Sequence, residues 1–251
     1  MLRLKFLLYL FLTTAIVFCS SVSAQDNFHK HQKWDALTKE YVTKDGFVRY
    51  KGFIKDSTKL NAYLEELAEN HPNDKWTSAQ KKAYWINAYN AFTIQLIIRN
   101  YPVKSIKDLG GSIYRVNTAW DIKFIHLGDE TYDLNNIEHN ILRKEWEDAR
   151  VHAVVNCASV SCPALRQGAF TAKNLEAQMD EQMRKFINDK TKNTISEDKA
   201  KVSSLFTWFA GDFKDNAPSV IAYINKFSDV KIKPDAEITY QDYDWSLNDV
   251  K

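Results

Sequence analysis

Cysteine, glycine and proline are all scarce in this chain, and each shortage removes a class of protein. Three cysteines among 251 residues cannot build a disulfide scaffold, so the fold must rest on a hydrophobic core. Seven glycines and five prolines leave no low-complexity tract and no linker of that composition, which favours one domain. No internal repeat and no heptad pattern occurs, so a solenoid or coiled coil is not expected. Cys-x-x-Cys, His-x-x-x-His and His-Glu-x-x-His spacings are missing, which speaks against zinc, and the expectation is no metal and no cofactor.

One long apolar run stands at the start, and no second one follows it. Arg3 and Lys5 precede a charge-free stretch from Phe6 to Phe18, and Val22-Ser23-Ala24 supplies a small-residue cleavage pattern. The run is shorter than the roughly 20 residues a membrane-spanning helix requires. Residues 1–24 are therefore expected to be a signal peptide cut after Ala24, and residues 25–251 one globular domain, periplasmic or secreted, with no stable membrane insertion. Phe18 before Cys19 puts a bulky ring where a lipoprotein signal takes a small residue. Losing Arg3 and Lys5 leaves 32 Lys plus Arg against 32 Asp plus Glu, so no charge excess points to nucleic acid as a partner.

The patterning predicts an α+β fold with helices packed on a mainly antiparallel sheet around one buried central helix. Residues 25–40 read as a docking helix around Trp34 and Leu37, and residues 41–50 as a short hairpin about Asp45-Gly46. Thr77-Ser78-Ala79-Gln80 is a capping box, and the run from there to Arg99 is apolar nearly all round. Asn87 and Asn90 share one face of that helix. Gly110-Gly111 reads as a turn, residues 122–126 as a short strand, and Asp133 or Asn135 as the cap of a helix holding Glu138 and His139. Residues 150–156 read as a buried strand running into the loop that holds Cys157 and Cys162. An amphipathic helix over 174–188, a strand near Val202 and helices around Trp208 and over 218–227 complete the pattern.

A thiol at the end of a buried element is a plausible nucleophile position, because the scaffold fixes the sulfur while a loop leaves it accessible. Cys157 fits that description. A thiolate needs a base or positive charge nearby, and His139 and His152 are the candidates. On a strand His152 and Cys157 would face opposite sides, and on an α-helix Glu138 and His139 would diverge by about 100°. Glu138 is read as a partner for His152, Arg143 or Arg166. Asn87, Asn90 and Asn156 are candidates for orienting an imidazole or donating to an oxyanion, with structural bracing as the alternative. Ser161 is a further nucleophile candidate, although no Gly-x-Ser-x-Gly elbow surrounds it. Cys157 and Cys162 could equally form a disulfide around a tight loop.

The segments Ala88-Tyr89-Asn90, Ile137-Glu138-His139 and His152 through Leu165 resemble the family DUF547, a domain of unknown function. Residues 45–50 and 243–248 look like the edges of the same domain. The resemblance implies a shared fold and shared motifs, and no particular reaction. Two functions stay open from the residues. One is a thiol-dependent hydrolase or acyl transferase acting on an amide or ester, with a small-molecule or peptide substrate. The other is a non-catalytic extracytoplasmic binding domain whose Cys157 and Cys162 are bridged, with Trp208, Phe209, Phe213 and Trp245 as candidate cleft aromatics.

Overall fold

The structure is a computed structural model, and it describes residues 27–110 and 118–250. Helices Gln32–Tyr41 (α1), Tyr50–Lys55 (α2) and Ser57–Glu69 (α3) surround the long helix Ser78–Arg99 (α4). Helix α4 begins where expected: Gln80 N donates to Thr77 Oγ1 at 3.2 Å, and Thr77 N donates to Gln80 Oε1 at 2.8 Å. From Lys82 to Ile97 every residue of α4 is buried, so propensity and burial agree on a central helix.

Among the described residues the strands are short and fall into two separate sheets. Ile125–Leu127 (β1) and Glu130–Tyr132 (β2) form an antiparallel pair. Thr194–Ile195 (β3), Lys199–Val202 (β4) and Glu237–Tyr240 (β5) form a three-stranded sheet, antiparallel at β3/β4 and parallel at β4/β5. The α+β class and the buried central helix hold. The single helix-backed sheet does not, because the helices pack chiefly on one another around α4.

After β2 the chain turns through Asp133, whose carboxylate accepts from Asn136 N at 2.6 Å. It then enters a π-helical segment, Asn136–Leu142, that continues as Arg143–Trp146 (α5). The segment expected as a strand, 150–156, instead contains the one-turn helix Val151–Val154 (α6) followed by extended backbone. This stretch serves two cores at once. Val151 and Val154 pack with the α4 cluster, whereas Ala149 and Ala153 pack with a second cluster built around Phe186, Phe206 and Phe213. A strand in one sheet could not serve both.

The second cluster belongs to Leu175–Asn188 (α7), Leu205–Trp208 (α8), Ala210–Asp215 (α9) and Val220–Phe227 (α10), close to the expected helices. The last residues thread back through the first core. Val48 N donates to Asn248 O at 2.8 Å, Asn248 N to Ala158 O at 3.3 Å, and Val160 N to Ser246 O at 2.8 Å. The hairpin at 42–48 is one antiparallel bridge with Gly46 at φ +84. A Cβ on Gly46 would stand 2.7 Å from Leu165 N, so glycine lets the turn lie against the end of the thiol loop. The expected signal peptide, 1–24, and the second residue of the Gly110-Gly111 turn lie outside the described residues. Among those described, no helix is long and apolar enough to cross a membrane.

Candidate functional site

The loop that carries Cys157 is held by side-chain amides. Asn90 Nδ2 donates to Val154 O at 2.8 Å and its Oδ1 accepts from Asn156 N at 2.8 Å, so α4 fixes the chain as it leaves α6. Asn156 in turn donates to Pro163 O at 2.8 Å and accepts from Ala158 N at 2.9 Å, closing the loop on itself. Asn87 pairs with both backbone groups of Phe170, at 2.8 and 3.0 Å. These bonds occupy all three amides with main chain. They therefore brace the site, each through one of its two N–H groups and its carbonyl oxygen. Ala158 sits at φ +59, a left-handed conformation that costs a non-glycine residue energy and that this bracing sustains.

Cys157 is half-buried and Cys162 buried; both are free thiols, with sulfurs 3.1 Å apart. The Cys157 sulfur also lies 3.2 Å from Ser159 Oγ and 3.3 Å from Tyr243 OH. Hydrogen bonding from Cys162 lowers the Cys157 thiol pKa most. Burial opposes this, the Ser159 and Tyr243 hydroxyls add to the lowering, and the Glu138 charge raises it; the net direction is down. Burial, then the bond to Cys157, hold the Cys162 thiol far above its ordinary value. The two directions are opposite, so Cys157 is the more acidic of the pair. Neither imidazole is among the sulfur's hydrogen-bond partners. The groups against the sulfur are neutral: Cys162, Ser159 and Tyr243.

The charges stand on another wall. Arg143 donates to Asp212 through Nε and Nη2, both at 2.7 Å, and through Nη1 to His139 Nδ1 at 2.9 Å. His152 Nε2 meets Asp212 Oδ2 at 2.7 Å, and its ring stacks on Phe209 with centroids 3.9 Å apart. Burial alone would raise the Asp212 carboxyl, but its bonds to His152 and Arg143 hold it well below the usual carboxylate range. A guanidinium can only donate, so a neutral His139 carries its proton on Nε2. A carboxylate can only accept, so a neutral His152 carries its proton on Nε2 and leaves Nδ1 as the open lone pair.

These walls enclose a cleft of about 190 Å³. Cys157, Cys162, Glu138, His139 and His152 all line it, together with Tyr89, Tyr243 and three tryptophans. The π-helical segment explains how sequence neighbours share it. Arg143 N donates to Glu138 O, an i to i+5 bond, and this wider turn lets both Glu138 and His139 face the cleft. Because residues 151–154 are helical, His152 and Cys157 also reach the same cleft. Ser161 does not line it: its backbone and hydroxyl are tied to Asp244. Glu138 neighbours Tyr89, whose phenol is raised first by burial and then by the Glu138 charge. Arg166 instead reaches Glu181, at 3.4 Å.

The sequence alone did not point to Asp212, Tyr243 or Ser159. Tyr243 opens the motif at 243–248, and that was the available signal. Asp212 is one acidic residue on an exposed-looking helix, with nothing to single it out.

An α+β domain with an acidified thiol at one side of an aromatic cleft is the class that fold and site define. Residues 73–187, which include α4, Glu138, His139 and the thiol loop, match the sequence model of the family described as protein of unknown function, DUF547. No curated protein and no solved structure matches the chain.

Proposed function

We propose that the cleft is the site of a thiol-dependent hydrolase or acyl transferase acting on an amide or ester, with Cys157 as nucleophile. The observation that carries this reading is the half-buried Cys157 sulfur, lowered in pKa among the neutral Cys162, Ser159 and Tyr243 groups at the end of a braced loop. His152 Nδ1 takes the thiol proton, with Asp212 holding the ring tautomer from the other side. Sulfur then bonds to the carbonyl carbon, and His139 Nε2–H faces the oxygen that gains charge. As the carbon–oxygen or carbon–nitrogen bond breaks, the leaving group takes the proton from His152. Water, or an acceptor nucleophile, then gives its proton to His152 and displaces the sulfur from the thioester. Catalytic hydrogen bonds tighten in the substrate complex, so the longer thiol–imidazole separation fits this order of events.

The test is trapping. Reduced protein is mixed with a p-nitrophenyl ester and digested, and its peptides are weighed. The expected result is an acyl group on Cys157 and none with Cys157→Ala; nitrophenol release that is unchanged in Cys157→Ala would overturn the reading.

The 3.1 Å approach of the sulfurs also favours a second reading, a binding domain whose Cys157 and Cys162 are bridged under oxidising conditions. In that reading reductant changes thiol counts without creating turnover. We also propose export, on the apolar run and cleavage pattern of residues 1–24. The first residue of the mature protein is then Gln25, which terminal sequencing checks.

A further inference from the structure

Among the described residues, one carboxylate of the cleft, Glu138, enters no ion pair and has the Tyr89 phenol as its hydrogen-bond partner. Glu138 is only 8% exposed, and burying a carboxylate without a counter-charge is costly. The buried or partly buried ion pairs nearby are Lys82–Asp148, Arg143–Asp212 and His152–Asp212, and Glu138 takes part in none of them. Arg143 feels its charge, but the guanidinium's ion pair is with Asp212 and its third bond goes to His139. The same cleft is walled by rings in mutual contact. Trp208 stacks on Trp245 at 5.9 Å, and Tyr243 lies 4.8 Å from Trp208 and 4.5 Å from Trp245. Lys107 Nζ already stands 4.8 Å from the Trp245 centroid, so this cluster attracts one ammonium group.

We propose that the cleft selects a substrate bearing an ammonium group, seated against Glu138 and held by the faces of Trp208, Tyr243 and Trp245. An anionic substrate would meet Glu138 as a like charge, and an uncharged one would leave the desolvated carboxylate with the Tyr89 phenol and no counter-charge. A cation satisfies both the carboxylate and the rings. The inference rests on the cleft being the reaction site, and it adds a consequence. The Glu138 charge opposes ionisation of Cys157, so a bound ammonium that offsets it favours the thiolate when substrate is in place.

The experiment measures binding of choline, butylammonium and uncharged 3,3-dimethyl-1-butanol to the Cys157→Ser protein by tryptophan fluorescence and ligand NMR. At least one cation is expected to saturate the cleft about tenfold more tightly than the alcohol. Glu138→Gln should abolish that preference, and Glu138→Asp, which keeps the charge, should retain part of it. Equal affinity for cations and alcohol, no binding of any probe, or a preference that survives Glu138→Gln overturns the proposal. Alkylation of Cys157 in the wild-type protein is read in parallel. An inert thiol with intact cation preference defeats only the acyl-transfer reading, and a reactive thiol without the preference defeats only this one.

Discussion

The two walls of the cleft solve the same electrostatic problem in opposite ways. On the thiol wall, Cys162, Ser159 and Tyr243 stabilise negative charge on Cys157 with neutral donors, at no cost in buried cations. Elsewhere on the lining, His139 and His152 are joined through Arg143 and Asp212 behind them, each member of the chain bonded to the next. The difference separates two duties. Making the nucleophile depends on local polarity, and moving protons depends on ion pairing, so a change in one wall should leave the other's duty intact.

The strongest test of that separation is Asp212→Asn. It removes the acceptor that sets the His152 tautomer, and ester turnover should fall by about 10²–10⁴-fold while Cys157 alkylation stays nearly unchanged. A parallel loss of alkylation would show that the walls are one unit. Next is Asn90→Ala, which orphans Val154 O and Asn156 N beneath the thiol loop. Urea denaturation should report a loss of about 2–4 kcal/mol.

Acid should strike the charged side first. Asp148 is raised by burial, but the bonds from Arg150 and Lys82 more than offset this and bring it down to about 2. A carboxyl depressed in the folded state stabilises above its unfolded value and loses that contribution as pH falls. About 2 kcal/mol should therefore vanish between about pH 4 and pH 2, and Asp148→Asn should flatten that part of the stability curve. The smallest effect is Tyr243→Phe. Removing one neutral donor should move the alkylation midpoint of Cys157 upward by about half to one pH unit, with stability little altered.

What the sequence disclosed followed from how local each signal is. The Thr77–Gln80 box and the apolar run behind it fixed α4, because capping and burial act within a few residues. The amide pair Asn87 and Asn90 was visible as two buried polar groups in need of partners, but which partners they take depends on chain 64 to 83 residues away. Residues 150–156 misled because Val151, Val154 and Val155 favour extended backbone locally, whereas packing against two cores selects a helical turn. The π-helical turn left no mark in composition, so the joint exposure of Glu138 and His139 to the cleft was hidden. Asp212 was silent for a related reason: a carboxylate 60 residues from His152 acquires its role only through the fold.

The central claim is that neutral donors alone make Cys157 the acidic thiol of this protein. The direct measurement is the rate of iodoacetamide addition to each cysteine of the reduced, native protein as a function of pH, resolved by peptide mass. The account predicts a Cys157 midpoint below that of an ordinary free thiol, with Cys162 unreactive over the same range and the Cys157 curve unmoved in Asp212→Asn. A Cys157 midpoint at or above the ordinary value, or a Cys162 that reacts first, would contradict it.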